Sequence, residues 1–334
     1  MKTWINQILE NKEVASLPIM THPGIELIGE TVKSAVTDGE VHFKAIQAVA
    51  EHYHTSSCTV IMDLTVEAEA FGAQVKFTEE EVPTVIGRLI TDMDAVNHLA
   101  VPDLAVGRVS EYLKANQRTV ASMGGLPVFS GCIGPYSLAG RLYDMSEIMV
   151  AIYIEPDMIL ALLDKCTEFL ITYCKALKAL GTSGVIIAEP AAGLLSNDDC
   201  MVYSTAFVKR IVEAVQDDDF TVILHNCGNT GQCTQAMVAS GAHALHFGNK
   251  IDMVEVLKEC PSDILVMGNL DPVGVLKQGS AQMVADETKK LLERTKEYTN
   301  FVISTGCDVP PLVPEENIHA FFDTVQAFNA QYNK

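Results

Sequence analysis

The sequence predicts an α/β protein: a (β/α)8 barrel with an N-terminal helical extension and an insertion after the second strand. Short β-branched or apolar runs recur eight times, at 17–20, 59–63, 126–132, 184–189, 221–225, 243–247, 264–268 and 301–305. Stretches of helical period separate them, which is the alternation of a parallel sheet. Polar residues gather where the runs end: Asp63, Glu189 and His225 close theirs, His246 stands within one residue of an end, and Asn269 and Cys307 lie just beyond. In such a barrel the strand C-termini share one mouth, where chemistry is done. No repeat, low-complexity tract or Ser/Gly linker interrupts residues 1–334, so the chain reads as a single domain.

In chain order, residues 1–14 place Lys2, Glu10, Lys12 and Glu13 around a short apolar stretch, without the apolar core and cleavage site of a secretory signal. A cytoplasmic location is expected. Helices are predicted at 40–53, 231–240, 253–259, 281–296 and 314–328. A helix at 158–180 is opened by Pro156-Asp157 and closed by Gly181. Another at 201–215 follows Ser196 and Asp199, a capping box with Asp for the usual Glu. The connection 64–125 carries Pro83, Pro102 and Glu79-Glu80-Glu81 and exceeds what a crossover helix needs, so it is read as an insertion over the mouth.

Composition narrows the function. Hydrophobic residues at 48% and charged residues at 20% describe a globular chain. Lys+Arg 23 against Asp+Glu 43 gives −20, a field that repels polyanions, so nucleic acid is not an expected partner. The longest uncharged run, between Arg118 and Arg141, holds two prolines and five glycines and is no membrane span. Nine cysteines, an odd number, argue against a disulfide framework and leave some free as ligands or nucleophiles.

The most informative segment is His225-Asn226-Cys227-Gly228-Asn229-Thr230. Residues two apart at a strand end project to the same side, so His225 and Cys227 can offer an imidazole nitrogen and a thiolate to one point. Cys307, beyond the last strand, supplies a third ligand across the mouth. His/Cys2 with an open fourth position is the pattern of a catalytic zinc site. Two thiolates make the metal nearly neutral, which suits binding an incoming thiol better than hydrolysis. Inert packing of buried cysteines competes with this reading, and Cys233, six residues after Cys227, is a rival ligand better placed in the core. Glu189 and Asp63 are candidate catalytic carboxylates, as metal ligand, proton acceptor or partner of a bound cation, against a simple capping role. His246 is a candidate ligand or donor, against a satisfied structural histidine. Two Gly/Pro-punctuated loops, Gly131 to Ala139 with Gly134 and Tyr136, and Gly268 to Pro272 with Asn269 and Asp271, are expected to shape a flat substrate.

Gly134-Pro135-Tyr136-Ser137-Leu138, Gly268-Asn269-Leu270-Asp271-Pro272 and the closing Thr305-Gly306-Cys307 through Pro314-Glu315-Glu316-Asn317 resemble the uroporphyrinogen decarboxylase superfamily along nearly the whole chain. Within it, the His225/Cys227/Cys307 set is similar to the zinc signature of the methylcobalamin:coenzyme M methyltransferase branch, as are the segments from Asp63 to Gly72 and Ala188-Glu189-Pro190. The resemblance implies Zn2+ on His225, Cys227 and Cys307. It further implies a methyl group moved from a methylated corrinoid protein, docked at the mouth, to a small thiol acceptor of the coenzyme M kind. Glu189 and Asp63 would be catalytic, and Gly134, Tyr136, His246, Asn269 and Asp271 would bind substrate or corrinoid. The chain lacks the Asp-x-His-x-x-Gly corrinoid-ligating motif, so methylcobalamin is expected on the partner. Tetrahydrofolate is an alternative acceptor, and a homodimer is expected from the resemblance alone. The stretch Ile19 to Glu26 lacks the arginines that grip porphyrin carboxylates in the decarboxylases, which makes decarboxylation by way of Asp63 the second reading.

Overall fold

A computed structural model describes residues 3–53 and 55–332. Eight parallel barrel strands are present; seven overlap the expected runs, and the first ends at Ser16, one residue before the run at 17–20. The first two are β1 (Ala15–Ser16) and β2 (Cys58–Thr59). A small antiparallel hairpin, β3 (Gln74–Lys76) with β4 (Thr84–Ile86), comes next. The rest are β5 (Val128–Ile133), β6 (Gly184–Ala188), β7 (Thr221–Asn226), β8 (Ala244–Phe247), β9 (Leu265–Leu270) and β10 (Phe301–Thr305). Around the sheet they follow the order β1, β10, β9, β8, β7, β6, β5, β2, with every neighbouring pair parallel.

Among the described residues no ladder joins β1 to β2. Side chains bridge the seam instead: Ser56 Oγ donates to the Ser16 carbonyl at 2.9 Å and the Met20 amide to Thr59 Oγ1 at 3.4 Å. This explains why both strands are two residues long, shorter than the apolar runs at 17–20 and 59–63. The chain stays extended past Ser16 and Thr59 but has a partner on one side only, as where the Leu17 amide meets the Ile303 carbonyl.

Alternation sorts the strand residues into two cores. Leu17, Ile19, Phe129, Ile186, Ile223, Ala244, Leu265, Met267 and Val302 fill the barrel interior. Val128, Val185, Val222, Leu224, Leu245, Val266 and Ile303 face the surrounding helices. The N-terminal helix Thr3–Glu10 presents Ile5 and Ile8 to the interior core and sets the Trp4 ring 4.6 Å from that of Phe129, closing the base of the barrel. The interior face then continues, two residues at a time, to His225 after Ile223, His246 after Ala244, Asn269 after Met267 and Ser304 after Val302.

Segment 64–125 contains the helix Val66–Ala70, the hairpin, the helix Met93–His98 and the long helix Val109–Ser122. The hairpin was missed because its strands alternate exposed and half-buried residues with little apolar content. The helix predicted at 201–215 is in fact three consecutive pieces, Asn197–Cys200, Met201–Thr205 and Ala206–Val215, the middle one a wider turn. Half of the predicted capping box forms: Ser196 Oγ accepts from the Asp199 amide at 3.1 Å, while the Asp199 carboxylate accepts from Ser196 Oγ at 2.6 Å. No helix among the described residues is long and apolar enough to cross a membrane.

Candidate metal centre

His225, Cys227 and Cys307 converge. Their ligand atoms all lie within 4.8 Å of one another, and His225 Nε2 stands 3.9 Å from Cys307 Sγ. Tetrahedral zinc with Zn–S near 2.3 Å and Zn–N near 2.0 Å has N···S edges of roughly 3.5 Å, so the three donors fit that ion with small adjustments. His225 is buried, whereas both cysteines are half-buried and reach the mouth. A hydrogen bond from Cys307 holds Cys227 below the usual thiol range, and the same bond with burial pushes Cys307 up to about 12.

The hydrogen-bond chain behind His225 selects its tautomer. Ser304 Oγ donates to the Leu17 carbonyl at 2.6 Å and therefore accepts from His246 Nε2 at 2.8 Å. His246 Nδ1 is left as acceptor for His225 Nδ1–H at 2.7 Å. His225 Nε2 keeps its lone pair, pointed at Cys307. Strand register makes this contact, since His225 pairs directly with His246 on the next strand. Burial drives the His246 pKa far below its ordinary value, so its ring stays neutral.

The cysteines are held by close backbone packing. Asn226 Oδ1 accepts from the amides of Gly228 (3.1 Å) and Asn229 (3.0 Å), turning the chain sharply after Cys227. A Cβ on Gly248 would come 2.5 Å from the Cys227 carbonyl, and one on Gly306 would come 2.5 Å from the Asn249 amide. The loop that starts at Gly248 is thus wedged against both cysteine segments. Asn269 ties it down, its Nδ2 donating to the Gly248 (3.0 Å) and Ile251 (2.7 Å) carbonyls. Cys233 is fully buried, its Sγ 3.3 Å from the Leu195 carbonyl, outside this group.

The remaining expected site residues are placed differently. Glu189 is 1% exposed; Oε1 accepts from the Ser137 amide (3.0 Å) and Oε2 from Ser204 Oγ (2.6 Å). Burial raises its carboxyl to about 7. Gly134 is the only residue that fits beside it, since a Cβ there would fall 2.2 Å from Glu189 Oε1. Asp63 is bonded to Arg108, and its Oδ1 accepts from Thr65 N (2.9 Å) and Oγ1 (2.7 Å). Arg108 also holds Glu69 at 2.6 Å. Tyr136 is fully buried with its hydroxyl on Met149 Sδ at 3.5 Å, and Asp271 caps its own turn through the Val273 and Gly274 amides. Among the described residues, the metal-competent group at the mouth is His225, Cys227 and Cys307. Sequence reasoning missed Arg108, which carries no local signal because its partner lies 45 positions away. It also missed Asn226 as a positioning residue, although Asn before a Cys-Gly step is a legible turn signal.

A barrel with a soft-ligand triad at its mouth defines the class. The family model for uroporphyrinogen decarboxylase (URO-D) matches residues 5–328, and the chain belongs to that family. It is 26% identical to a methylcobamide:CoM methyltransferase, MtbA, of Methanosarcina acetivorans, over 98% of both chains. The MtbA of Methanosarcina mazei is 27% identical with the same coverage. A uroporphyrinogen decarboxylase of Idiomarina loihiensis is 25% identical, over 84% of this chain and 80% of that protein. Among solved structures, a methyltransferase from Methanosarcina mazei superimposes with a TM-score of 0.88 at 24% identity, over 98% of both chains, sharing the fold.

Proposed function

We propose that this protein is a zinc-dependent corrinoid methyltransferase that moves a methyl group from a methylated corrinoid protein to a small thiol. The observation that carries this reading is the convergence of His225, Cys227 and Cys307 at the strand ends, with the His225 tautomer preset for ligation. Full-length similarity to two methylcobamide:CoM methyltransferases supports the same reading.

His225, Cys227 and Cys307 would hold the ion, leaving a fourth position toward the mouth. Zinc bound there would supply the Lewis acidity that keeps an acceptor thiol deprotonated near neutral pH. The chain's own part is orientation. His246 and Ser304 fix the imidazole, and Asn269 and Asn226 fix the backbone that carries the thiols, so little reorganisation is needed when the acceptor arrives. In the transfer, the carbon–cobalt bond breaks and a carbon–sulfur bond forms; the electron pair stays on cobalt and the thiol proton goes to solvent. Decarboxylation through Asp63 is less well supported, because Arg108 and Thr65 already occupy that carboxylate.

The test is metal content together with methyl transfer from methylcobalamin. Protein purified without chelators should carry about one zinc per chain. Cys307→Ala should lose the metal and lower the rate by roughly a thousandfold. Zinc-free protein that still methylates thiols at full rate would overturn the mechanism. Carbon dioxide release from a tetrapyrrole by metal-free protein would favour the decarboxylase instead.

A further inference from the structure

Besides the group at the mouth, one other trio among the described residues brings three ligand atoms within 4.8 Å of one another: His52, Glu315 and His319. It stands where helix Gly39–Tyr53 meets helix Glu315–Tyr332. Residues four apart on a helix are neighbours, so Glu315 and His319 share one face. Both imidazoles turn Nε2 toward the same oxygen, Glu315 Oε1, at 2.7 Å from His52 and 3.4 Å from His319. Tyr53 keeps the rings in place: it meets His52 edge-on at 4.7 Å, lies 5.3 Å from the His319 ring, and is itself buried and stacked on Phe322.

As ion pairs these exposed contacts would contribute little to stability. Two imidazoles and a carboxylate oxygen are, however, a donor set that suits zinc and its borderline neighbours. Tetrahedral zinc holds N and O donors roughly 3.3 Å apart, so His319 already fits and His52 would move outward by roughly 0.5 Å. A chain of net charge −20 also draws cations to its surface.

The position of the trio gives it a task. Strands β1 and β2 share no ladder among the described residues, and the groove between the two helices runs over that seam, lined by Ser16 and Ser56 as well as by His52 and His319. Helix Gly39–Tyr53 belongs to the connection from β1 to β2, whereas helix Glu315–Tyr332 follows β10, which pairs with β1. Asn329 already ties the second helix to Val14, beside β1. An ion on His52, Glu315 and His319 would tie it to the β2 side as well.

We propose that His52, Glu315 and His319 form a metal site separate from the mouth, for a zinc-type divalent cation completed by water, which clamps the two helices across the open seam of the barrel. The site is independent of the methyl-transfer reading. Being exposed, it exchanges its ion with the buffer and fills when zinc is supplied.

The test is calorimetric titration with zinc of the full chain carrying Cys307→Ala, which removes a ligand at the mouth. Excess Mg2+ occupies the surface carboxylates, since it takes oxygen ligands and leaves imidazole to zinc. One zinc should bind. Adding His52→Gln or His319→Gln should lower its affinity by more than about 100-fold, beyond what loss of a supporting hydrogen bond costs a metal site. Both replacements are at the surface, and the circular dichroism of each variant should match the parent. In the chain with its cysteines intact, added zinc should slow hydrogen exchange at residues 15–16 and 58–59, and His319→Gln should remove that protection. If Cys307→Ala binds no zinc, or binds it equally well after His52→Gln and His319→Gln, the site is refuted while the mouth centre stands. If zinc binds through these residues and exchange at the seam does not change, the clamp is refuted. Thiols left unmethylated would count against the methyl-transfer reading and move none of these readouts.

Discussion

The two walls of the mouth solve the burial of polar groups in opposite ways. On the β7–β10 side, uncharged partners do the holding: His246, Ser304 and Asn269 spend their hydrogen bonds on His225, on backbone carbonyls and on each other. On the β2–β5 side the polarity is ionic. Arg108 spans Asp63 and Glu69, and beside them Glu67 accepts from the Ile133 amide at 3.1 Å while burial raises its carboxyl to about 8. The neutral wall leaves three donor atoms unspent and turned to the mouth, whereas the ionic wall spends Asp63 within the protein. Polar residues at strand ends therefore mark the mouth, and only their partners tell a site from a brace.

This contrast can be broken on the ionic wall first. Arg108→Ala strands Asp63 without its buried counter-ion and should cost about 3–5 kcal/mol, read as a lowered urea midpoint. Zinc content should be unchanged, since the proposed ligands His225, Cys227 and Cys307 stand on the other wall. A variant that lost zinc in proportion to stability would show that the walls are not independent.

The neutral wall should respond in metal affinity before stability. His246→Ala removes the acceptor that fixes the His225 tautomer, and zinc affinity measured against a competing chelator should drop about 10- to 100-fold. Unchanged affinity would mean that the imidazole is oriented by packing alone. Asn269→Ala releases the loop at Gly248 and should cost about 1–2 kcal/mol with a weaker loss of zinc. That ranking, His246 above Asn269 for metal and the reverse for loop mobility by hydrogen exchange, sharpens the difference between orienting a ligand and bracing its backbone.

The smallest effect is one of pH. Burial raises Glu189 in the folded chain from the ordinary 4.5 to about 7, so the folded state keeps a proton that the unfolded chain releases. Its contribution to stability is complete below about 4.5 and is lost as pH rises through about 7. Glu189→Gln should flatten that part of the stability profile, and a profile identical to the parent would show that Ser137 and Ser204 keep the carboxylate ionised throughout.

Much of this molecule was legible in its residues. Seven of the eight runs overlap a barrel strand, and the first falls just past β1, because burial on both faces demands continuous apolar stretches; Pro156, Gly181 and Ser196 marked helix ends by their own conformational limits. His225, Cys227 and Cys307 were legible because soft ligands at strand ends are scarce. The use made of Asp63 and Glu189 was not, since Arg108, Ser137 and Ser204 reach them across the fold from positions with no sequence signal. The helix at Pro135–Tyr143 was read as a loop, although proline just after Gly134 is also a helix opener.

The plug at the base of the barrel sets an order of events. Helix Thr3–Glu10 is synthesised well before its socket is complete, because that socket includes Val302 of β10, and among the described residues β1 finds its only ladder partner in that same strand. Asn329 seals the arrangement by exchanging two hydrogen bonds with the backbone of Val14, at 2.9 and 3.0 Å. The helix must wait, undocked, until β10 has been made. Shortened nascent chains should therefore expose Trp4, Ile5 and Ile8 to chaperones, and completion of the final strand is the step that withdraws them.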